Sequence, residues 1–182
     1  MALVCAARIC AAQALAPADL MRQLAGVESS RATFVETRHS ALLKEPLVLR
    51  GTLAWQRPAS LEKRVTQPYD ERIALDGDVL TIENRRGRKL KTSVSGSPAI
   101  AALVEGIRAS RAGDLAALER HFAVRVDGGA GRWTLSLKPI DEEVARQVAS
   151  IAISGAQGRI SRVEVQETGG DRSVMEIREE IR

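Results

Sequence analysis

From residue 31 onward, apolar and polar positions alternate with a period of two in a series of short runs. Each run is closed by proline, glycine or a charge cluster, the pattern of half-buried strands. Phe34, Glu36 and Arg38 alternate with Val35, Thr37 and His39 up to the break at Lys44-Glu45-Pro46. The run from Val48 to Gln56 puts Leu49, Gly51, Leu53 and Trp55 on one face and Arg50, Thr52 and Gln56 on the other, and Pro58 stops it. Leu61, Lys63 and Val65 alternate with Glu62, Arg64 and Thr66 until Pro68. Ile73 and Leu75 lead into Asp76-Gly77, a hairpin signal, and Leu80 and Ile82 return from it. Asn84-Arg85-Arg86-Gly87 marks a second turn, and Lys89-Leu90-Lys91 reads as a charged edge strand.

The period changes at two places. Ala18 to Glu28, behind Pro17 and with Leu20, Leu24 and Val27 at helical spacing, predicts a first helix. In the middle, Ser97-Pro98 supplies an N-cap and a first-turn proline for a helix carrying Ile100, Leu103, Val104 and Ile107 on one face. Gly113-Asp114 opens a second short helix over Leu115 and Leu118. Beyond it, strands are predicted at Ala123–Val126, Trp133–Leu137, Ala149–Ile153, Ile160–Gln166 and Val174–Ile177, with Gly-rich turns between them. About ten short strands with helices inserted mid-chain predict a mainly β fold, an antiparallel sheet curled over those helices, in one domain.

Composition narrows the function classes. Aromatic residues are only 3% of the 182, too few for nucleic-acid recognition by base stacking, and a formal charge of +4 does not imply polyanion binding. The two histidines, His39 and His121, have no partnered motif around them and read as surface or boundary imidazoles. The glycines fall in hairpin turns and match neither a phosphate-binding loop nor a dinucleotide fingerprint. Asp141-Glu142-Glu143 reads as a solvated acidic turn, and Arg85-Arg86-Gly87-Arg88-Lys89 as a solvated hairpin tip. The expectation is therefore no catalytic residue, no metal and no cofactor.

The first sixteen residues, MALVCAARICAAQALA, have the apolar character of a secretory leader, with Ala12-Gln13-Ala14 as a cleavage site of the A-x-A kind. The alternative is an amphipathic helix that stays on the folded protein. Both cysteines, Cys5 and Cys10, lie in this segment, so a mature chain spanning 17–182 would hold none, and neither a disulfide framework nor a thiolate nucleophile.

The stretch Gly51-Thr-Leu-Ala-Trp-Gln-Arg-Pro, the strand ending Gln67-Pro68, and the hairpin at Asp76-Gly77 resemble the LolA family of periplasmic lipoprotein carriers. Ala32-Thr33-Phe34-Val35-Glu36-Thr37 resembles that family's first strand, and the match is best over residues 30–84. The resemblance implies an unclosed β-barrel with a helical lid over an apolar cavity for acyl chains. It also implies periplasmic location, a monomer, and partners in an inner-membrane transporter and an outer-membrane acceptor. In the family, the arginine of the Arg-Pro step hydrogen-bonds to the lid and helps set its open or closed state, a role the resemblance implies for Arg57. Candidate cavity residues are Phe34, Leu49, Leu53, Trp55, Leu61, Val65, Ile73, Leu75, Trp133 and Leu135, with Ile100, Leu103, Val104 and Ile107 as the underside of the lid.

Strand parity extends the apolar face of Leu49, Leu53 and Trp55 to Arg57, so a guanidinium is expected beside an apolar wall with carbonyls or a carboxylate as partners; the alternative is an exposed strand-end arginine ahead of Pro58. Lys63 shares parity with Leu61 and Val65, where the family has apolar residues. It either snorkels to the rim or marks a ligand with an acidic group. The functional expectation is a carrier of lipoproteins or another acylated lipid that catalyses no reaction. The alternative is a periplasmic interaction or envelope-stress sensing module that binds a peptide or partner on its concave face.

Overall fold

The computed structural model of the protein describes residues 15–57, 60–94, 104, 106, 108–110 and 112–180. Most of the expected leader lies outside them, as do Ile100, Leu103 and Ile107 of the expected lid.

The alternating runs all become strands. In chain order they are β1 (Ser29–His39), β2 (Leu47–Gln56), β3 (Ser60–Gln67), β4 (Glu71–Asp76), β5 (Val79–Asn84), β6 (Lys89–Ser93), β7 (Phe122–Gly129), β8 (Arg132–Pro139), β9 (Val148–Ala156), β10 (Arg159–Glu167) and β11 (Arg172–Glu179). They form one 11-stranded sheet in the order β6-β5-β4-β3-β2-β1-β11-β10-β9-β8-β7. Every neighbouring pair is antiparallel. The first and last strands pair with each other, Phe34 opposite Ile177, so chain neighbours flank a single non-local seam. β6 and β7 are the two edges, and the sheet is an unclosed, half-open barrel. β6 is exposed throughout, and lysines 89 and 91 guard it against pairing with another chain.

Local chemistry explains the element ends. Helix α1 (Pro17–Ala25) starts with proline at its first turn and ends at Ala25, capped by Gly26, three residues short of the expected Glu28. Helix α2 (Leu115–Glu119) is capped by Asp114, whose carboxylate accepts from the Ala117 N–H at 2.9 Å. The acidic run at 141–143 is a cap too. Asp141 accepts from the N–H groups of Glu143 and Val144 and opens helix α3 (Glu142–Ala145). Residues 104, 106, 108–110 and 112 are also helical. The β4–β5 loop is Gly77-Asp78, one residue later than the sequence suggests: Asp76 still pairs with Val79, and Gly77 takes the left-handed backbone at φ +55°.

The two halves of the concave face are filled differently. Under β7–β10, Leu20, Met21 and Leu24 of α1 and Leu118 of α2 pack on Phe122, Trp133, Leu135, Leu137, Ile151 and Ile153. Under β1–β5 the buried groups are smaller and separate, Phe34 with Leu49 and Val65, and Leu75 with Leu80 and Val94. Helices α1 and α2 lie in the first half, while Val104 of the helical stretch packs against the Leu75 cluster of the second.

Candidate functional site

Between these clusters lies an apolar cavity of about 130 Å³. The β2–β3 side contributes Leu53, Trp55 and Leu61. Ile153, Ile160, Val163, Met175 and Ile177 close it from β9–β11, with Ala32 on the floor and Ser110 of the helical stretch above. Ser110 is fully buried and harmless there, because its hydroxyl donates to the Gly106 carbonyl at 2.7 Å. Trp55 is different. Its side chain is buried, but among the described residues the indole N–H meets no acceptor. An unsatisfied buried donor costs about 1–3 kcal/mol, and an occupant bearing an oxygen would relieve it.

Beyond Val163 and Met175, which line both spaces, the concave face widens into a cleft of about 600 Å³. Its floor carries a buried charge cluster. Glu36 is 3% exposed, on the same face as Phe34 as their parity requires. It accepts from the Arg38 Nε at 2.8 Å, the Ser173 hydroxyl at 2.7 Å, and the Lys63 ammonium. Lys63 stands on β3, Glu36 on β1, with β2 between them. The row that separates them is Phe34–Gly51–Val65. Gly51 has no side chain, so the Phe34 ring lies over it, and the Lys63 Nζ sits 5.0 Å from the ring centroid.

Burial alone would raise the Glu36 carboxyl. The Lys63 charge and the hydrogen bonds from Arg38, Lys63 and Ser173 outweigh it and hold the pKa below the ordinary glutamate value. Lys63 thus has a partner inside the protein, Glu36, where it lines the cleft.

Gly51 is the hinge point of this arrangement. A Cβ there would lie 1.8 Å from the Arg64 carbonyl oxygen and 2.9 Å from Phe34 Cε1, at the bulge where β2 and β3 shift register. Gly51→Ala is expected to cost about 1–3 kcal/mol through forced backbone movement. It should also loosen the Lys63–Glu36 pair; urea denaturation measures the first effect and the acid dependence of stability the second. A variant as stable as the parent would show that the strands part there freely.

The expected site residues divide into groups. Leu53, Trp55 and Leu61 line the apolar cavity. Phe34, Leu49 and Val65 form the floor beneath Lys63. Ile73 and Leu75 pack further out with Leu80, Val94 and the half-buried Val104. Trp133 and Leu135 belong to the helix-filled half, where Trp133 Nε1 donates to the Gln157 carbonyl at 2.7 Å.

Arg57 departs from its parity. The β2 ladder ends at Gln56, so alternation does not reach Arg57, which sits exposed in the following turn. Its Nη1 donates to the Ala25 carbonyl at 2.9 Å and its N–H to the Glu28 carbonyl at 3.0 Å, tying the end of β2 to the C-terminal end of α1. A cation there complements the helix dipole.

The sequence reading missed the opposite wall, Ile153, Ile160, Val163, Met175 and Ile177. Its signal was present as the same period of two. Among the described residues no group of His, Cys, Asp and Glu could hold a metal ion. His39 is exposed, and His121 is half-buried at the start of β7. The basic run at 85–89 is the tip of the β5–β6 hairpin, where the Asn84 side chain accepts from the N–H groups of Arg86 and Arg88.

A half-open antiparallel barrel with helices on its concave face and an apolar cavity beside them is the architecture the resemblance implied. The family of outer membrane lipoprotein carrier protein LolA-like chains matches residues 9–176. The chain belongs to that LolA-like family. Its solved neighbours are distant in sequence. A LolA superfamily protein from Nitrosomonas europaea is 11% identical, with 90% of this chain and 92% of that one covered, at a TM-score of 0.48. MucB in its complex with MucA from Pseudomonas aeruginosa is 12% identical over 91% of this chain and 57% of that one, at 0.50. A putative outer membrane lipoprotein-sorting protein domain from Vibrio parahaemolyticus is 11% identical, covering 92% of both chains, at 0.49. No curated protein matches the chain. LolA-like proteins are carrier and binding proteins of the bacterial envelope, and among the described residues of this one no helix is long and apolar enough to cross a membrane.

Proposed function

We propose that this LolA-like protein is a periplasmic carrier that takes up the acyl chain of a lipoprotein or another lipid in its concave face. It passes that cargo from an inner-membrane transporter to an outer-membrane acceptor, without catalysing a reaction, after export with loss of the segment 1–16. The observation that carries this reading is the apolar cavity beside Trp55, continuous with an open cleft. Each methylene transferred there from water is worth about 0.8 kcal/mol, so a chain is held without a reactive group.

Native mass spectrometry with lipid extraction, on protein purified from the periplasm, tests both halves. Co-purified acylated species and an intact mass short of the leader are expected. An empty, uncleaved protein would overturn the carrier reading and favour an interaction module. One observation favours that second reading: Leu42, at the tip of the β1–β2 loop on the rim of the cleft, is 94% exposed.

The gate has its own prediction. Arg57→Leu removes the bond to Ala25 and is expected to leave the fold intact while accelerating cargo release severalfold, as loss of a single hydrogen bond would. Transfer of a labelled lipid to acceptor vesicles measures it. Unchanged loading and unchanged transfer would remove Arg57 from the gate.

A further inference from the structure

The apolar cavity and the Glu36 cluster are adjoining parts of one concave face, and their chemistries differ. Val163 and Met175 line both. The inner part, at about 130 Å³, is close to an apolar cavity of roughly 150 Å³ that stays dry and admits one small apolar group. It has room for the end of one chain and not for several. The outer part is lined by Arg38, Lys63 and Arg172 and by Glu36, Glu167 and Asp171, and on its floor the two cations around Glu36 keep spare donors. Lys63 gives one ammonium hydrogen to Glu36, and Arg38 gives its Nε hydrogen to the same carboxylate. Among the described residues, two hydrogens on Lys63 and the four on the Arg38 terminal nitrogens have no acceptor. Glu36, with three donors on it, has little capacity left. A half-buried cation with spare donors, facing a cleft beside an apolar pocket, suits an occupant rich in acceptors.

We propose that the cargo is a single-chain amphiphile with an anionic head, carboxylate or phosphate, whose tail enters the cavity beside Trp55 and whose head accepts hydrogen bonds from Lys63 and Arg38. Glu36 is a positioning residue: it holds both cations in the cleft and partly offsets the burial that lowers the Lys63 pKa. This inference rests on the carrier reading and adds the class of cargo.

The test is isothermal titration of the purified protein with three ligands of one chain length: hexadecanoate, 1-palmitoyl lysophosphatidate and monopalmitoylglycerol, each below its micellar concentration. At least one anionic ligand is expected to bind about tenfold or more tighter than the neutral one, the equivalent of about 1.4 kcal/mol. Which of the two leads identifies the head as carboxylate or phosphate. In the paired variant Lys63→Met with Glu36→Leu, which removes both charges together, the preference should fall to about twofold or less. Arg38→Gln, which leaves the buried pair in place, should reduce it in part and covers the case in which the paired variant does not fold. Equal affinity for all three ligands in the parent protein, or a preference that survives in both variants, would overturn the head-group assignment and leave the carrier reading standing. A folded protein that binds none of the three would overturn both.

Discussion

Glu36→Ala is expected to lower the unfolding free energy by about 3–5 kcal/mol, because it leaves Lys63, half-buried at 16% exposure, without its counter-ion. For a domain of this length that corresponds to a fall in Tm of roughly 6–20 °C. Arg38, which is partly exposed, can turn to solvent and adds little to the loss. Removing both members of the buried pair, with Glu36→Leu and Lys63→Met, is expected to recover most of it, since an apolar pair of similar volume needs no compensating charge. The parent protein should also show the effect of acid on this carboxylate. The Glu36 pKa is lower in the folded chain than its ordinary 4.5, so its contribution is complete above that value. It is lost as the pH falls through the folded value. Stability measured from pH 6 downward should drop more steeply in the parent than in Glu36→Gln over that acid window. Parallel curves, or a single Glu36→Ala variant as stable as the pair, would show that the cluster contributes nothing to the fold.

Trp133→Ala is expected to be equally damaging for a different reason. The side chain is 1% exposed and joins α1 to the sheet in the helix-filled half. Its removal leaves a large cavity, at about 3–5 kcal/mol. The ring also lies against Gly155, where an added Cβ would come within 2.6 Å of Cζ2, so the neighbouring strand is shaped to the indole and cannot close the gap with a side chain of its own. Trp133→Phe keeps most of the packing but loses the hydrogen bond to the Gln157 carbonyl, and about 1 kcal/mol is expected. Urea denaturation followed by circular dichroism measures both, as midpoint shifts at constant slope. Equal losses in the two variants would mean that the hydrogen bond, not the packing, is what matters at this position.

The fold was readable because each strand carries its own alternation and each turn its own glycine or proline, and such local signals need no knowledge of partners. The cavity was readable in half. Residues 30–84 resemble a known family, so Leu53, Trp55 and Leu61 could be assigned to its wall. Ile153, Val163 and Met175 alternate just as clearly, but nothing in their local pattern says that β11 returns to β1 and brings them opposite. The pairing of Glu36 with Lys63 was hidden for the same reason. Each residue's parity was visible, yet the contact spans three strands and depends on Gly51 lying between them. Arg57 shows the limit of parity itself. The alternation continues in the letters for one residue beyond the ladder that gives it meaning, and there the side chain follows the turn instead.

The segment between β6 and β7 is the one piece of chain that joins the sheet's two free edges. A carrier must widen to admit cargo and narrow to retain it. In a closed barrel, widening shears or breaks rungs of the hydrogen-bond ladder. Here β6 and β7 are edges that no rung joins, so a change in the curvature of the sheet breaks none between them.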